Sequence, residues 1–137
     1  MSCSSIAKFV SSVNQACKKN STYAVVDYNK TTFHLSKLMF RNGLLTHYSI
    51  RSMYTDNNLE PKLFIVLYFR TNQVTNSVRY IKQISKPGRR IYISKKDIFH
   101  LFSKYSFAIL STSMGFRTLN EARQLGIGGE FIIEIDC

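Results

Sequence analysis

The chain has 137 residues, of which 45% are hydrophobic and 20% are charged, so it can fold around a core and is not a disordered polyelectrolyte. Its 19 Lys and Arg against 8 Asp and Glu give a formal net charge of +11, which favours a polyanionic partner. The longest apolar run, residues 63–69, is far shorter than the roughly 20 residues of a membrane-spanning helix, so no membrane partner is predicted.

The first part of the chain carries the signals of two helices. Apolar residues at helical spacing predict a helix over residues 5–18, with a serine at 4–5 as its N-cap. A second helix is capped by one of the threonines at 31–32. It stops at the Asn-Gly pair at 42–43, because glycine readily adopts the left-handed conformation that ends a helix.

Strands complete this first part. They are predicted at residues 23–27, 44–51 and 62–70. The polar residues 55–61 between the last two strands are typical of a hairpin-type loop. Together with the helices, these strands predict an N-terminal α/β subdomain over residues 1–70.

After residue 70 the composition shifts to short strands and turns. Strands are predicted at residues 78–84, 89–94, 107–110 and 130–136. A short helix precedes the last strand, because Thr118 and Glu121 have the spacing of a capping box and Gly126 supplies the stop. The sequence therefore predicts a C-terminal β-rich subdomain over residues 71–137. The fold class is α+β, with the N-terminal subdomain packed on the C-terminal one.

Basic residues are concentrated near the start of this second part. Residues 70–104 contain nine Lys and Arg against one acid. Alternation along strand 89–94 puts Arg90 and Tyr92 on one face, so a cation and an aromatic ring share the open side. Such a face suits nucleic acid, but charged strand faces also serve solubility and strand tyrosines are often half-buried. The segment 86–88 is predicted to be a turn, because it lacks the glycine spacing of a phosphate-binding loop.

Three small hydroxyl residues, Ser111, Thr112 and Ser113, follow the predicted strand 107–110. Hydroxyls donate and accept hydrogen bonds at short range, so a fixed row of them can read base edges and sugars in an irregular RNA helix. Strand alternation points Ser111 and Ser113 to the same side. The alternative interpretation is a plain strand ending, in which the hydroxyls bond to the local backbone.

Three glycines, Gly115, Gly128 and Gly129, lie close in sequence to these hydroxyls or to the last strand. The lack of a Cβ atom lets an RNA backbone approach closely, and it equally suits a tight turn. Both interpretations stay open from the sequence.

Metal-binding and catalytic sites are disfavoured. The cysteines, Cys3, Cys17 and Cys137, form no CxxC pair, so free thiols in a reducing compartment are predicted, without a metal or other cofactor. A serine-dependent hydrolase would need Ser111 or Ser113 as its nucleophile and His100 or His47 as its base. The sequence has no Gly-x-Ser-x-Gly motif and no recognisable His-carboxylate spacing, so an enzyme is not predicted.

Three motifs carry a resemblance to a known family. They are Ile-Ser-Lys-Pro-Gly-Arg-Arg-Ile-Tyr at 84–92, Ser-Thr-Ser-x-Gly at 111–115, and Glu-Ala-Arg-x-x-Gly-x-Gly-Gly-Glu at 121–130. In this order and spacing the chain resembles the universal small-subunit ribosomal protein eight family, called S-eight in bacteria. The resemblance extends over nearly the whole chain and is most specific in its C-terminal half.

The resemblance implies a non-enzymatic, structural component of the small ribosomal subunit. Such a protein binds the central domain of small-subunit rRNA, helps its assembly and contacts neighbouring small-subunit proteins, without a small-molecule substrate. The residues it implies as RNA contacts are Lys86, Pro87, Gly88, Arg89, Arg90, Tyr92, Ser111, Thr112, Ser113, Gly115, Gly128, Gly129 and Glu130. A free regulatory RNA-binding module outside the ribosome is the alternative function.

The composition also bears on location. Lys, Asn, Ile, Phe and Tyr, which have AT-rich codons, are abundant in this sequence. This bias favours an organelle-encoded protein, and we expect a mitochondrial ribosome. A plastid ribosome and a bacterial cytoplasmic ribosome are the alternatives.

Overall fold

The computed structural model of the chain describes residues 3–54, 60–70, 78–98 and 107–136, with side chains from residue 5 onward. Described residues up to Arg70 belong to one compact unit and those from Val78 to a second. The helices and antiparallel sheets confirm the predicted α+β class, with α/β elements in the first unit and mainly strands in the second. The predicted boundary at residue 70 adjoins residues 71–77, which are not described, so it stays a prediction.

The first unit combines helices with a three-stranded antiparallel sheet. Its described elements are α1 (Cys3–Lys18), β1 (Tyr23–Asp27), α2 (Lys30–Arg41), β2 (Leu45–Met53) and β3 (Lys62–Phe69). The strand order is β1-β3-β2, and both strand pairs are antiparallel. Each element lies within a few residues of its predicted position, because the spacing of apolar residues marks it clearly.

One face of this sheet packs against the helices. The fully or nearly fully buried side chains include Ala24 and Val26 on β1, Ile65 and Leu67 on β3, Phe9 on α1 and Leu35 on α2. Burying each of the larger side chains contributes about 1.5 to 3 kcal/mol, so this helix-covered face supplies the core of the unit. The strand residues between them point to the opposite face of the sheet.

The predicted helix starts were wrong in detail. The first helix begins at Cys3, so the serines at 4–5 lie inside it. The cap of α2 is Asn29, whose Oδ1 accepts a hydrogen bond from the Thr32 N–H at 2.9 Å. Thr32 completes a capping box, because its Oγ1 accepts from the Asn29 N–H at 2.9 Å. The predicted stop is confirmed, with Asn42 as C-cap and Gly43 at a φ of 80°.

The second unit is built mainly from strands. Its described elements are β4 (Tyr80–Gln83), β5 (Tyr92–Ile93), β6 (Phe107–Thr112), β7 (Gly115–Thr118), α3 (Leu119–Leu125) and β8 (Gly129–Asp136). The strand order is β4-β8-β6-β7, and β5 also pairs with β8. One buried cluster in this unit contains Ile93, Ile98, Ala108, Leu110, Leu119, Ala122 and Phe131. Because β4, β5 and β6 all pair with β8, this last strand organises the unit.

The three hydroxyl residues belong to a hairpin, whereas the sequence placed all of them after the end of the strand. Strand β6 continues through Thr112, and residues 113–114 turn the chain into β7. The predicted strand ended at Leu110 and β7 was not predicted, because the Met-Gly pair resembles a break and β7 is short. The predicted strand 89–94 also shrinks to the two residues of β5, since Arg89 pairs with Lys86 across a turn instead.

The short helix α3 has the start and stop that the sequence predicted. The Thr118 Oγ1 accepts a hydrogen bond from the Glu121 N–H at 3.1 Å, and Gly126 adopts a left-handed φ of 69°. Thr118→Val keeps the volume of this buried side chain but removes the acceptor, so we expect the free energy of unfolding to fall by about 1 kcal/mol. Thr118→Ser retains the acceptor and is the control in urea unfolding. Parental stability of the Val variant would exclude a capping role.

Candidate nucleic-acid interface

A tight turn presents the basic motif of the second unit. The Lys86 N–H donates to the Arg89 carbonyl and the Arg89 N–H to the Lys86 carbonyl, both at 3.0 Å. Pro87 and Gly88 occupy the centre of this turn, where Gly88 has a φ of 84°. All four residues are exposed. The prediction of a turn is therefore confirmed, and its backbone and cations are accessible to a large partner.

The base of this turn is fixed by Ser85, a residue that the sequence analysis did not single out. Its buried Oγ accepts a hydrogen bond from the Ile91 N–H at 3.0 Å and donates to the Ile91 carbonyl at 3.3 Å. A small hydroxyl residue just before a Pro-Gly turn is the signal that could have identified it. Ser85 thus holds the two arms of the turn together.

Arg90 and Tyr92 share one side of the next segment, as predicted. Tyr92 is 69% exposed, while Ile93 is buried. The Arg90 Nη1 lies 3.3 Å from the Glu130 Oε1, and the Glu130 side chain is only 12% exposed. The carboxylate holds the guanidinium in place and offsets part of its charge. Arg89 in the turn has no such acidic partner among the described residues.

The three hydroxyl residues differ in their surroundings. Ser111 is half-buried within β6, whereas Ser113 is exposed in the turn, so strand alternation does not extend to Ser113. The Thr112 Oγ1 donates to the Gly115 carbonyl at 2.7 Å and accepts from the Met114 N–H at 3.2 Å. Thr112 therefore stabilises the turn by local backbone bonds, which is the alternative interpretation given above. The Ser113 hydroxyl has no hydrogen-bond partner in the part of the chain that the structure describes.

Strand pairing brings the three motifs together at Glu130. This residue is opposite Tyr92 on β5 and opposite Ser111 on β6. Neighbouring strands lie about 4.8 Å apart, so the cation-bearing segment, the hydroxyl hairpin and the Gly-Gly-Glu motif meet at one end of the sheet. The convergence combines cations, an aromatic ring and hydroxyls on one surface.

The glycines have different roles. A Cβ atom on Gly128 would lie 2.3 Å from the Ile93 carbonyl oxygen, and one on Gly129 would lie 2.5 Å from the Ser111 carbonyl oxygen. Both glycines thus permit close approach of backbones within the protein, a role that the sequence analysis did not consider. Gly115 has a φ of 96° and open space around it, as a turn glycine does.

Further basic residues are exposed in the second unit. The described and exposed members of the predicted basic segment in the second unit are Arg79, Lys82, Lys86, Arg89, Arg90, Lys95 and Lys96. Lys104 lies outside the described residues, and Arg70 belongs to the first unit. The second unit therefore exposes many cations, which suits a polyanion.

Within the described ranges no group of three or more His, Cys, Asp or Glu is placed to hold a metal ion. His100 lies outside those ranges, and His47 belongs to the first unit, where it stacks on Tyr68 with ring centroids 5.8 Å apart. Burial raises the pKa of the Cys17 thiol, so it is poorly suited to act as a nucleophile. No described helix has the length and apolar character needed to cross a membrane.

Comparison with known proteins gives a consistent result. A sequence profile of the family described as ribosomal protein S8 matches residues 4–135. The small ribosomal subunit protein uS8 of Dictyoglomus thermophilum is 32% identical, covering 93% of this chain and 92% of its own. The uS8 protein of Dictyoglomus turgidum is 36% identical, covering 78% of this chain and 77% of its own. That of Mycoplasmopsis pulmonis is 30% identical, covering 95% of this chain and 94% of its own.

These matches define the class of the protein, which is a ribosomal protein. The chain belongs to the ribosomal protein S8 family, as the resemblance of its motifs predicted. The three relatives are bacterial, so the mitochondrial location stays a prediction.

Proposed function

We propose that this chain is a structural component of the small ribosomal subunit that binds the central domain of small-subunit rRNA and helps its assembly. The observation that carries the proposal is the convergence at Glu130, where cations, an aromatic ring and hydroxyls share one accessible end of the sheet. Family membership supports a ribosomal role and a non-enzymatic one. Neighbouring small-subunit proteins are its further partners.

The residues of this surface make different kinds of contact with RNA. Lys86 and Arg89 anchor phosphates, because their charges are exposed on a fixed turn. Tyr92 stacks on a base or sugar, and Ser111 and Ser113 hydrogen-bond to bases and sugars, which carry the sequence and shape of an RNA. The open turns at Pro87, Gly88 and Gly115 let the RNA backbone approach.

The remaining predicted residues act by positioning. Glu130 orients Arg90 through their ion pair, and Thr112 fixes the hairpin turn. Gly128 and Gly129 bring strands close enough to form the surface. We propose a mitochondrial ribosome on the basis of composition, with a bacterial ribosome as the alternative that the bacterial relatives favour.

The salt dependence of RNA binding tests this proposal. Lys86→Gln combined with Arg89→Gln should reduce the magnitude of the slope of log K against log salt by about 1.4 to 1.8, since each phosphate contact contributes about 0.7 to 0.9. The measurement is a filter-binding titration on a central-domain rRNA transcript. Lys18→Gln combined with Lys19→Gln removes the same charge from the end of α1 and should leave the slope nearly unchanged.

Equal slopes for the two double variants would remove the turn from the interface. Co-sedimentation of the full chain with small ribosomal subunits in high salt then separates a ribosomal component from a free RNA-binding module. A stable component should remain with the subunit, because a shaped interface retains non-ionic contacts when charges are screened. Complete release into the free fraction would favour the free module.

A further inference from the structure

The sheet of the first unit has a second face that no described element of that unit covers. On β1 the outward residues Tyr23 and Val25 are 51% and 46% exposed. On β3 the residues Phe64, Val66 and Tyr68 alternate with the buried core residues and are only half-buried. We call the surface formed by these five residues together with His47 and Arg51 of β2 the open face.

The strand register arranges the open face in rows. Tyr23, Tyr68 and His47 are neighbours across the three strands, and the His47 and Tyr68 rings are stacked with centroids 5.8 Å apart and an angle of 23°. Phe64 and Arg51 are neighbours in another row. Between the two rows lies the pair Val25 and Val66. Three rings, those of Tyr23, Tyr68 and His47, therefore lie in one row, and an apolar pair of valines separates them from Phe64.

Charge around the open face is positive. The Lys62 Nζ lies 5.4 Å from the centre of the Phe64 ring and 3.8 Å from the Asp27 Oδ1, so the acid of β1 is offset by a cation. Arg51 adds an exposed cation beside Phe64. Residues 1–77 contain nine Lys and Arg against three Asp and Glu. A polyanion is attracted to such a unit, whereas an apolar protein surface gains nothing from this charge.

We propose that the open face is a stacking platform for single-stranded RNA. It rests on the geometry of the first unit and does not require the surface at Glu130 to bind rRNA. Unpaired bases stack on accessible aromatic rings, and cations beside the rings hold the backbone. A regular duplex binds less well here, because its bases are already stacked on one another.

Tyrosine substitutions on the open face test the proposal. Tyr23→Leu combined with Tyr68→Leu should weaken binding of a short fluorescent oligouridine by between about 5-fold and about 150-fold for each stacked base that is lost. Tyr23→Phe combined with Tyr68→Phe keeps both rings and should bind like the parent. Phe40→Leu removes an exposed aromatic residue from α2, away from the open face, and should have no effect. The salt slope should not change, since no charge is removed.

NMR measurements on the parent chain test the proposal even if a variant fails to fold. Oligouridine should shift the ring-proton resonances of Tyr23 and Tyr68 upfield, and a duplex of equal length should not. Oligouridine binding with parental affinity by the Leu variant, or loss of affinity in the Phe variant, would overturn the proposal. A parent dimer that the Leu variant dissociates would also overturn it, by assigning the open face to a second copy of the chain. Lys86→Gln combined with Arg89→Gln separates the two surfaces, because it should leave the oligouridine-induced shifts in place even if the proposed rRNA site fails.

Discussion

Gly128→Ala is expected to destabilise the second unit by roughly 3 kcal/mol or more. The new Cβ would lie 2.3 Å from the Ile93 carbonyl oxygen and 3.1 Å from the Lys95 nitrogen. Both atoms belong to the backbone, so no side chain can rotate away and relieve the overlap. The pairing of β5 with β8 must open instead. Urea unfolding measures the loss, and hydrogen exchange of the β5 and β8 amides locates it.

Gly88→Ala is the matched control for this prediction. Gly88 has nothing within 4 Å of a Cβ atom, but its φ of 84° lies in the left-handed region. The substitution should therefore cost only about 1 to 2 kcal/mol, through backbone strain. If Gly128→Ala cost no more than Gly88→Ala, the strands would have room that the structure does not show.

Local patterns predicted the elements of the first unit well. Strand β1 has its predicted bounds, because Ala24 and Val26 alternate with polar or exposed residues. The N-cap residue of α2 was harder to predict, since Asn29, Thr31 and Thr32 all belong to residue types that cap helices. Only the extended backbone conformation at Asn29 decides among these three residues, and that conformation cannot be predicted from composition or spacing.

The candidate interface depends on information that a linear pattern does not hold. The sequence predicted the turn at 86–88 and the exposed side of Tyr92, which are local features. The meeting of Tyr92, Glu130 and Ser111 follows from strand pairing between distant segments, and register is set by the whole sheet. The role of Gly128 likewise appears only when the strand beside it is known.

The exposed hydroxyl hairpin leads to a second large expected effect. Ser111→Ala combined with Ser113→Ala should weaken binding to central-domain rRNA by about 1 to 3 kcal/mol for each hydroxyl that bonds to RNA. A lost hydroxyl leaves its nucleotide partner unpaired at a contact that excludes water. Ser113 is expected to dominate, because it is exposed in the turn while Ser111 is half-buried. Stability should change by less than about 0.5 kcal/mol for Ser113→Ala alone, as for other exposed positions.

Thr112→Val serves as the control, because it should lower stability and not RNA affinity. It removes the bonds from the Thr112 Oγ1 to the Gly115 carbonyl and from the Met114 N–H, so it should lower the free energy of unfolding by about 1 kcal/mol. Filter-binding titrations of all variants on the rRNA transcript and on a regular duplex, at two salt concentrations, separate the effects. The serine variants should lose affinity mainly for the transcript and keep the parental salt slope, because hydroxyls discriminate among RNA shapes without contributing charge. Unchanged affinity of the double serine variant for the transcript would mean that the hairpin only ends a strand, and recognition would then depend on the turn at Lys86 and Arg89 and on Tyr92.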